Sequence, residues 1–144
     1  MARKNQSLHD WVISELIKTN GFGKYARDNA CVLETNPSNV KNVSVGPEGD
    51  QIWPDVVIYD PKTKEAKRIA EVETDDTVTN DHAKGQWDAY GKKVSDFVLA
   101  VPKPLVKDAK EILKDLKATC TLWSYEIETD DSDHAKSAEF SVES

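Results

Sequence analysis

Cysteine is scarce in this sequence: the 144 residues hold two, Cys31 and Cys120. Their separation fits no zinc-ligand spacing, and two thiols cannot form the disulfide framework of a small secreted domain. They read as reduced thiols of a cytoplasmic protein, with a single disulfide as the alternative. Long apolar runs are missing as well. No stretch approaches the ~20 apolar residues of a membrane span. Met1 to Ser7 lack the apolar centre of a secretory leader. Internal repeats and low-complexity tracts are also absent. Positive charge is in deficit, with 19 Lys and Arg against 26 Asp and Glu, a net −7. That balance argues against strong non-specific attraction to nucleic acid.

The deficit is unevenly placed. Glu126, Glu128, Asp130, Asp131, Asp133, Glu139 and Glu143 face one base, Lys136, so residues 126–144 carry −6 and the rest of the chain carries −1. A local basic groove in the body is therefore compatible with the composition. The length suits one domain with a proper core. The expected division is a domain over 1–125 and an acidic C-terminal extension over 126–144. That extension is either an edge strand, from about Ala138 to Val142, or a mobile tail, and it is a candidate surface for a protein partner.

Hydrophobic spacing predicts the elements. Ser7 reads as an N-cap with Asp10 in the box position, opening a helix through Leu8, Trp11, Val12, Leu16 and Ile17 that stops near Gly21 and Gly23. Ala30 to Glu34 reads as a short strand. Asn36 to Gly49 reads as a loop with a brief strand at Val43 to Val45. Thr79 or Asn80 caps a helix reaching about Lys92, with Ala83, Gln86, Trp87 and Tyr90 on one face. Asp96 to Pro102 is a buried strand. Leu105, Val106, Ala109, Ile112, Leu113 and Leu116 mark an amphipathic helix. Its lysines, Lys107, Lys110, Lys114 and Lys117, read as a solvated stripe rather than a phosphate contact. Thr119 to Tyr125 is the last strong strand. The order αβββαβαβ predicts an α/β protein: a mixed β-sheet flanked by helices, its two later strands parallel.

The most informative segment is a hairpin. Trp53 to Asp60 and Ala66 to Thr74 are apolar, β-branched runs around the polar stretch Pro61 to Glu65. With the turn centred near Thr63, residues whose numbers sum to 126 pair, and Asp55 lies opposite Glu71. Directly opposed residues sit ~5 Å apart at Cβ. Glu73 shares the face of Glu71. Three acids crowded at one sheet end repel one another, and a divalent cation relieves that repulsion. Hard oxygen donors suit Mg²⁺ or Mn²⁺. The competing reading is that the acids simply face water.

Pro54-Asp55, a hairpin, then Glu71-Val72-Glu73 resembles the signature of the PD-(D/E)XK nuclease superfamily. The helix-strand-strand-strand-helix-strand order is similar to the common core of that restriction-endonuclease-like family. Gln86-Trp87-Asp88-Ala89-Tyr90 matches the Gln-x-x-x-Tyr motif of its RecB-like branch. Glu15 takes the place of the first-helix acid found in many members, archaeal Holliday-junction resolvases included. The resemblance covers residues 7–125. Members usually place Lys two residues after the motif glutamate, whereas Glu73 stands there in this chain. Some restriction endonucleases of this fold carry Glu at that place. Lys84 is the nearest candidate for a migrated lysine, ahead of Lys92 and Lys93.

The resemblance implies a metal-dependent deoxyribonuclease acting on DNA, with a homodimer as a plausible assembly. Asp55, Glu71 and the Val72 carbonyl would hold Mg²⁺ or Mn²⁺. Glu15 would assist, Glu73 would orient or deprotonate the attacking water, and Gln86 and Tyr90 would contact substrate. Two other classes compete. One is a catalytically inactive nuclease-fold protein that binds nucleic acid or a protein partner. The other is a metal-dependent hydrolase of a different phosphoester.

Overall fold

Short β-branched segments alternate with helical ones, and a computed structural model describing residues 2–79, 81, 85–116 and 119–143 joins them in one mixed sheet. Helix α1 spans Ala2–Leu16, a π-helical turn spans Asn20–Lys24, and α2 spans Tyr25–Asp28. Strands β1 (Val32–Thr35), β2 (Val56–Tyr59) and β3 (Ala66–Val72) follow. Then come α3 (Trp87–Lys93), β4 (Phe97–Pro102), a 3₁₀ turn (Lys103–Leu105), α4 (Val106–Asp115), β5 (Thr121–Thr129) and β6 (Ala135–Val142). Strand order in the sheet follows the sequence. The first three strands are mutually antiparallel, β3, β4 and β5 run parallel, and β6 returns antiparallel on β5. The expected mixed sheet flanked by helices is present.

Side-chain alternation along the strands divides the core in two. Val56, Ile58, Ala70, Val72, Val98 and Ala100 meet Val12, Ile13 and Leu16 of α1 together with Phe22. On the opposite face, Val57, Ile69, Leu99 and Val101 meet Trp87 and Tyr90 of α3 and Ala109 of α4. Both faces of the central strands are therefore covered, as a parallel sheet requires.

The hairpin follows the expected register and then departs from it. Val56 pairs with Ala70, Val57 with Ile69 and Ile58 with Arg68, but a bulge after Ile58 sets Tyr59 opposite Ala66. The turn explains the shift. Asp60 Oδ1 accepts the Lys62 and Thr63 amides at 2.7 and 3.2 Å, and Lys64 turns left-handed at φ 65°.

Several local expectations are corrected. Helix α1 starts at Ala2, so Ser7 is interior and caps nothing. Ala2, Arg3 and Lys4 are good helix formers and carry the helix back past it. Regular α-helix ends at Leu16, where Thr19 Oγ1 donates to the Leu16 carbonyl at 2.7 Å. Gly21 belongs to the turn beyond, where it lets the backbone lie flat on the sheet; a methyl group there would come within 2.5 Å of the Trp123 ring. The brief strand at Val43 to Val45 reduces to a single bridge between Val45 and Ile52. Strand β5 continues past Tyr125 to Thr129, and β6 starts at Ala135. The acidic segment thus supplies the end of one strand and the whole edge strand. Asn80, His82, Ala83 and Lys84 lie outside the described residues. No described helix is long and apolar enough to cross a membrane.

Candidate active site

Continuing the hairpin pairing one step beyond Val56 and Ala70 brings Asp55 opposite Glu71, and the two residues clasp each other through the main chain. The Asp55 amide donates to Glu71 Oε1 at 2.8 Å. The Val72 amide donates to Asp55 Oδ2 at 2.7 Å. Each carboxylate therefore has one oxygen fixed by the opposite strand's backbone. Asp55 Oδ1 and Glu71 Oε2 make no hydrogen bond among the described residues. Both side chains are buried, with residue exposures of 7% and 4%.

Glu73 adds a third buried acid at 2% exposure, just past the end of β3. Its amide donates to the Ala100 carbonyl at 2.9 Å, and its own carbonyl accepts the Tyr125 hydroxyl at 2.6 Å. These bonds lock the backbone that carries Glu73. Burial, together with the charges of Asp55 and Glu73, pushes the Glu71 carboxyl well above the usual carboxylate range. The three acids thus act on one another electrostatically, which is the crowding the sequence implies. Strand ends with buried, mutually repelling carboxylates are where functional sites concentrate.

One member of the cluster escaped the sequence reading. His9 of α1 places Nε2 at 3.0 Å from Asp55 Oδ2, the oxygen already held by the Val72 amide. Its Nδ1 lies 3.1 Å from Asp10 Oδ1 and 3.2 Å from Ser38 Oγ. Burial opposes a charge on this ring, but the bonds and charges of Asp55 and Asp10 outweigh it and raise the imidazole to about 9. His9 is therefore protonated at neutral pH and places one positive charge on Asp55. A histidine one residue before an acid on a helix was the only available signal. Its partner lies 46 positions away, beyond any local pattern.

The loop before Asp55 is built from hydrogen bonds. Asn36 Nδ2 donates to the Val43 and Pro54 carbonyls at 2.7 Å each, and its Oδ1 accepts the Asn42 and Val43 amides at 2.7 and 2.9 Å. Its amide donates to the Asp55 carbonyl at 2.9 Å. With its side-chain amide fully used, Asn36 fixes the backbone entering the site. Asp10 accepts both the amide and the hydroxyl of Ser38 at 2.9 Å, tying the loop to α1.

The remaining expected residues fall unevenly. Gln86 sits at the start of α3, with its Oε1 buried and without a hydrogen bond among the described residues. Tyr90 is one turn on. Burial and the charges of Glu71, Asp55 and Glu73 raise its hydroxyl far above the normal tyrosine value, and its ring packs edge-on to Phe97. Trp87 between them is wholly buried in the core. Glu15 points elsewhere and forms an ion pair with Lys18 at 2.6 Å. At ~100° and ~1.5 Å per residue, it sits about 120° around α1 and about 9 Å along it from His9. Lys84 lies outside the described residues, whereas Lys92 and Lys93 pair with Asp88 and Asp50 at 2.8 and 2.6 Å.

The donor chemistry fits a hard divalent cation. Asp55 and Glu71 each have an oxygen not used in hydrogen bonding, and burial with the charges of Asp55 and Glu73 raises the Glu71 carboxyl, a strain that a bound cation relieves. The arrangement is not a closed cage. Among the described residues, no three His, Cys, Asp or Glu side chains converge on one point at ligating distance. No family model, curated protein or solved structure matches this chain.

Proposed function

We propose that this protein is a Mg²⁺- or Mn²⁺-dependent deoxyribonuclease of the PD-(D/E)XK superfamily with a restriction-endonuclease-like core. The observation that carries the reading is the opposed, buried pair Asp55 and Glu71 at the end of a hairpin, with Glu73 raising the local negative charge. The order of elements and the Gln86 to Tyr90 motif, whose tyrosine feels the charges of the three acids, support it.

The residues have separable roles. Asp55 and Glu71 would hold the cation, with the Val72 carbonyl as a further donor. A cation bound there would neutralise charge developing on the phosphoryl oxygens and activate water. Glu73 would orient and deprotonate the attacking water, in place of the family's lysine. A base there must stay ionised, which a neighbouring cation favours. Gln86 would bond a phosphate oxygen or a base edge, and Tyr90 would hold or stack against the same strand. Two copies acting together would cut both strands of a duplex. The acidic edge strand β6 would then be available to a protein partner.

A second reading is a nuclease-fold protein that binds without cutting. The His9 charge on Asp55 and the glutamate at position 73 favour it. Incubation with supercoiled plasmid, linear, flapped and four-way DNA under Mg²⁺ and Mn²⁺ decides between them. Nicking by the wild type that disappears in both Asp55→Ala and Glu71→Ala is the expected result. DNA binding with no cleavage under either metal would establish the second reading.

A further inference from the structure

A cleft of 630 Å³ opens directly beside Asp55, lined by Asn36, Ser38, Val40, Lys41, Trp53 and Asp55 among others. Its contents are unusual for this acidic chain. The Lys41 ammonium lies 4.3 Å from the centroid of the half-buried Trp53 ring. Lys41 has no carboxylate partner among the described residues, whereas Lys18, Lys93 and Lys103 are each held in an ion pair. Val40 on the same wall is 42% exposed, one of two large hydrophobic side chains so exposed among the described residues. An indole face with the Lys41 ammonium over it and an exposed aliphatic group thus line one hollow.

The walls are fixed in advance. Asn36 holds one end of the loop through its four side-chain bonds, and Asp10 holds Ser38. Trp53 precedes Pro54, whose carbonyl Asn36 grips. An aromatic ring with a cation over it supplies the two elements that single-strand binding sites use, a face for base stacking and a charge for phosphate. The volume falls within the ~300–1,000 Å³ range of small-ligand sites. That is room enough for one nucleotide.

We propose that this cleft is a nucleotide subsite that takes one unpaired base of a DNA strand, which displaces the Lys41 ammonium from the Trp53 ring and stacks there while Lys41 moves to its phosphate. The assignment rests on the nuclease reading, because it places that base beside Asp55. It specifies the substrate as single-stranded or locally opened DNA. Neither Lys41 nor Trp53 has a role in the hydrolysis itself.

The test is fluorescence anisotropy of the full chain with labelled oligothymidine and with a hairpin duplex, in EDTA at several salt concentrations. Trp53→Ala is expected to weaken oligothymidine binding about fivefold or more while leaving duplex binding unchanged. Trp53→Phe retains a stacking face and is expected to keep most of the affinity. Lys41→Gln should lower the slope of log affinity against log salt by about 0.7. Equal oligothymidine affinity in wild type and Trp53→Ala would overturn the subsite, as would equal losses in Trp53→Ala and Trp53→Phe. Absence of any oligothymidine binding by the wild type would overturn it too. The two readings fail separately. Plasmid cleavage without Trp53-dependent binding removes the subsite and leaves the nuclease. Trp53-dependent binding without cleavage under either metal removes the nuclease.

Discussion

Two pairs of acids face each other across antiparallel strands of this sheet, and their circumstances are opposite. Glu126 and Glu139 are directly opposed on β5 and β6, both exposed, with Lys103 at 3.0 Å from Glu126. Asp55 and Glu71 continue the β2–β3 pairing, and both are buried. At the first pair, solvent and the Lys103 ion pair screen the repulsion. At the second, burial amplifies it and raises the Glu71 carboxyl, and a histidine comes in from another layer. The number of acids therefore says little about function in this chain. Most of the net negative charge lies in the exposed C-terminal segment, and the informative carboxylates are the few that are buried.

The comparison can be broken most sharply with a cation. Divalent metal binding to the native state alone stabilises by about 2.7 kcal/mol at a hundredfold excess over Kd. Calorimetry in Mn²⁺ is expected to show that rise in wild type and to lose it in Asp55→Asn and Glu71→Gln. Glu126→Gln and Glu139→Gln should retain it in full. A rise that persists in Asp55→Asn would place the cation elsewhere, on the acidic edge for instance.

Proton linkage gives the next effect. His9 has a folded value of about 9 against an ordinary 6.5. Its contribution to stability is fully present below the ordinary value and is lost as pH rises through about 9. Glu71 is raised as well, so it acts in the same sense at lower pH, favouring the fold while protonated. Denaturant titrations of the metal-free protein should show stability falling between neutral pH and pH 9.5, with His9 contributing at most about 3 kcal/mol. His9→Gln should flatten that fall. An equal decline in wild type and His9→Gln would show that the imidazole carries no such charge.

The smallest effect belongs to the exposed pair. Glu139→Lys replaces a like-charge opposition with an attractive one, and cross-strand pairs are worth roughly 0.2–1 kcal/mol. A gain of a few tenths in urea unfolding is expected, with cleavage unchanged.

Much of the frame could be read in advance for concrete reasons. The hairpin register followed from β-branched runs on either side of one polar turn, so the Asp55–Glu71 opposition was legible from residue types alone. The bulge at Ile58 was not, because it arises from the left-handed Lys64 and the Asp60 turn bonds, which alternation does not encode. Parallel pairing of β4 and β5 was legible from the intervening helix. His9 was hidden for a different reason. Helical spacing gives the phase of α1, but which end of which strand that phase meets depends on how the whole layer docks. Attention to acids alone led to Glu15, one face away. The role of Asn36 was equally hidden, since an asparagine inside a Pro- and Asn-rich loop looks like every other turn residue until its four bonds are seen.

The reciprocal clasp between the two strands makes reach, rather than charge, the sensitive variable. Residue 55 must end where the Val72 amide ends, and residue 71 must span back to the amide of residue 55. Exchanging the two acids, with glutamate at 55 and aspartate at 71, conserves every formal charge and every strand pairing. It nevertheless leaves one side chain a methylene too long and the other a methylene too short, so both amides lose their acceptors. A hairpin with this construction tolerates a change in its overall ionisation more readily than a shift of one carbon in the length of either arm.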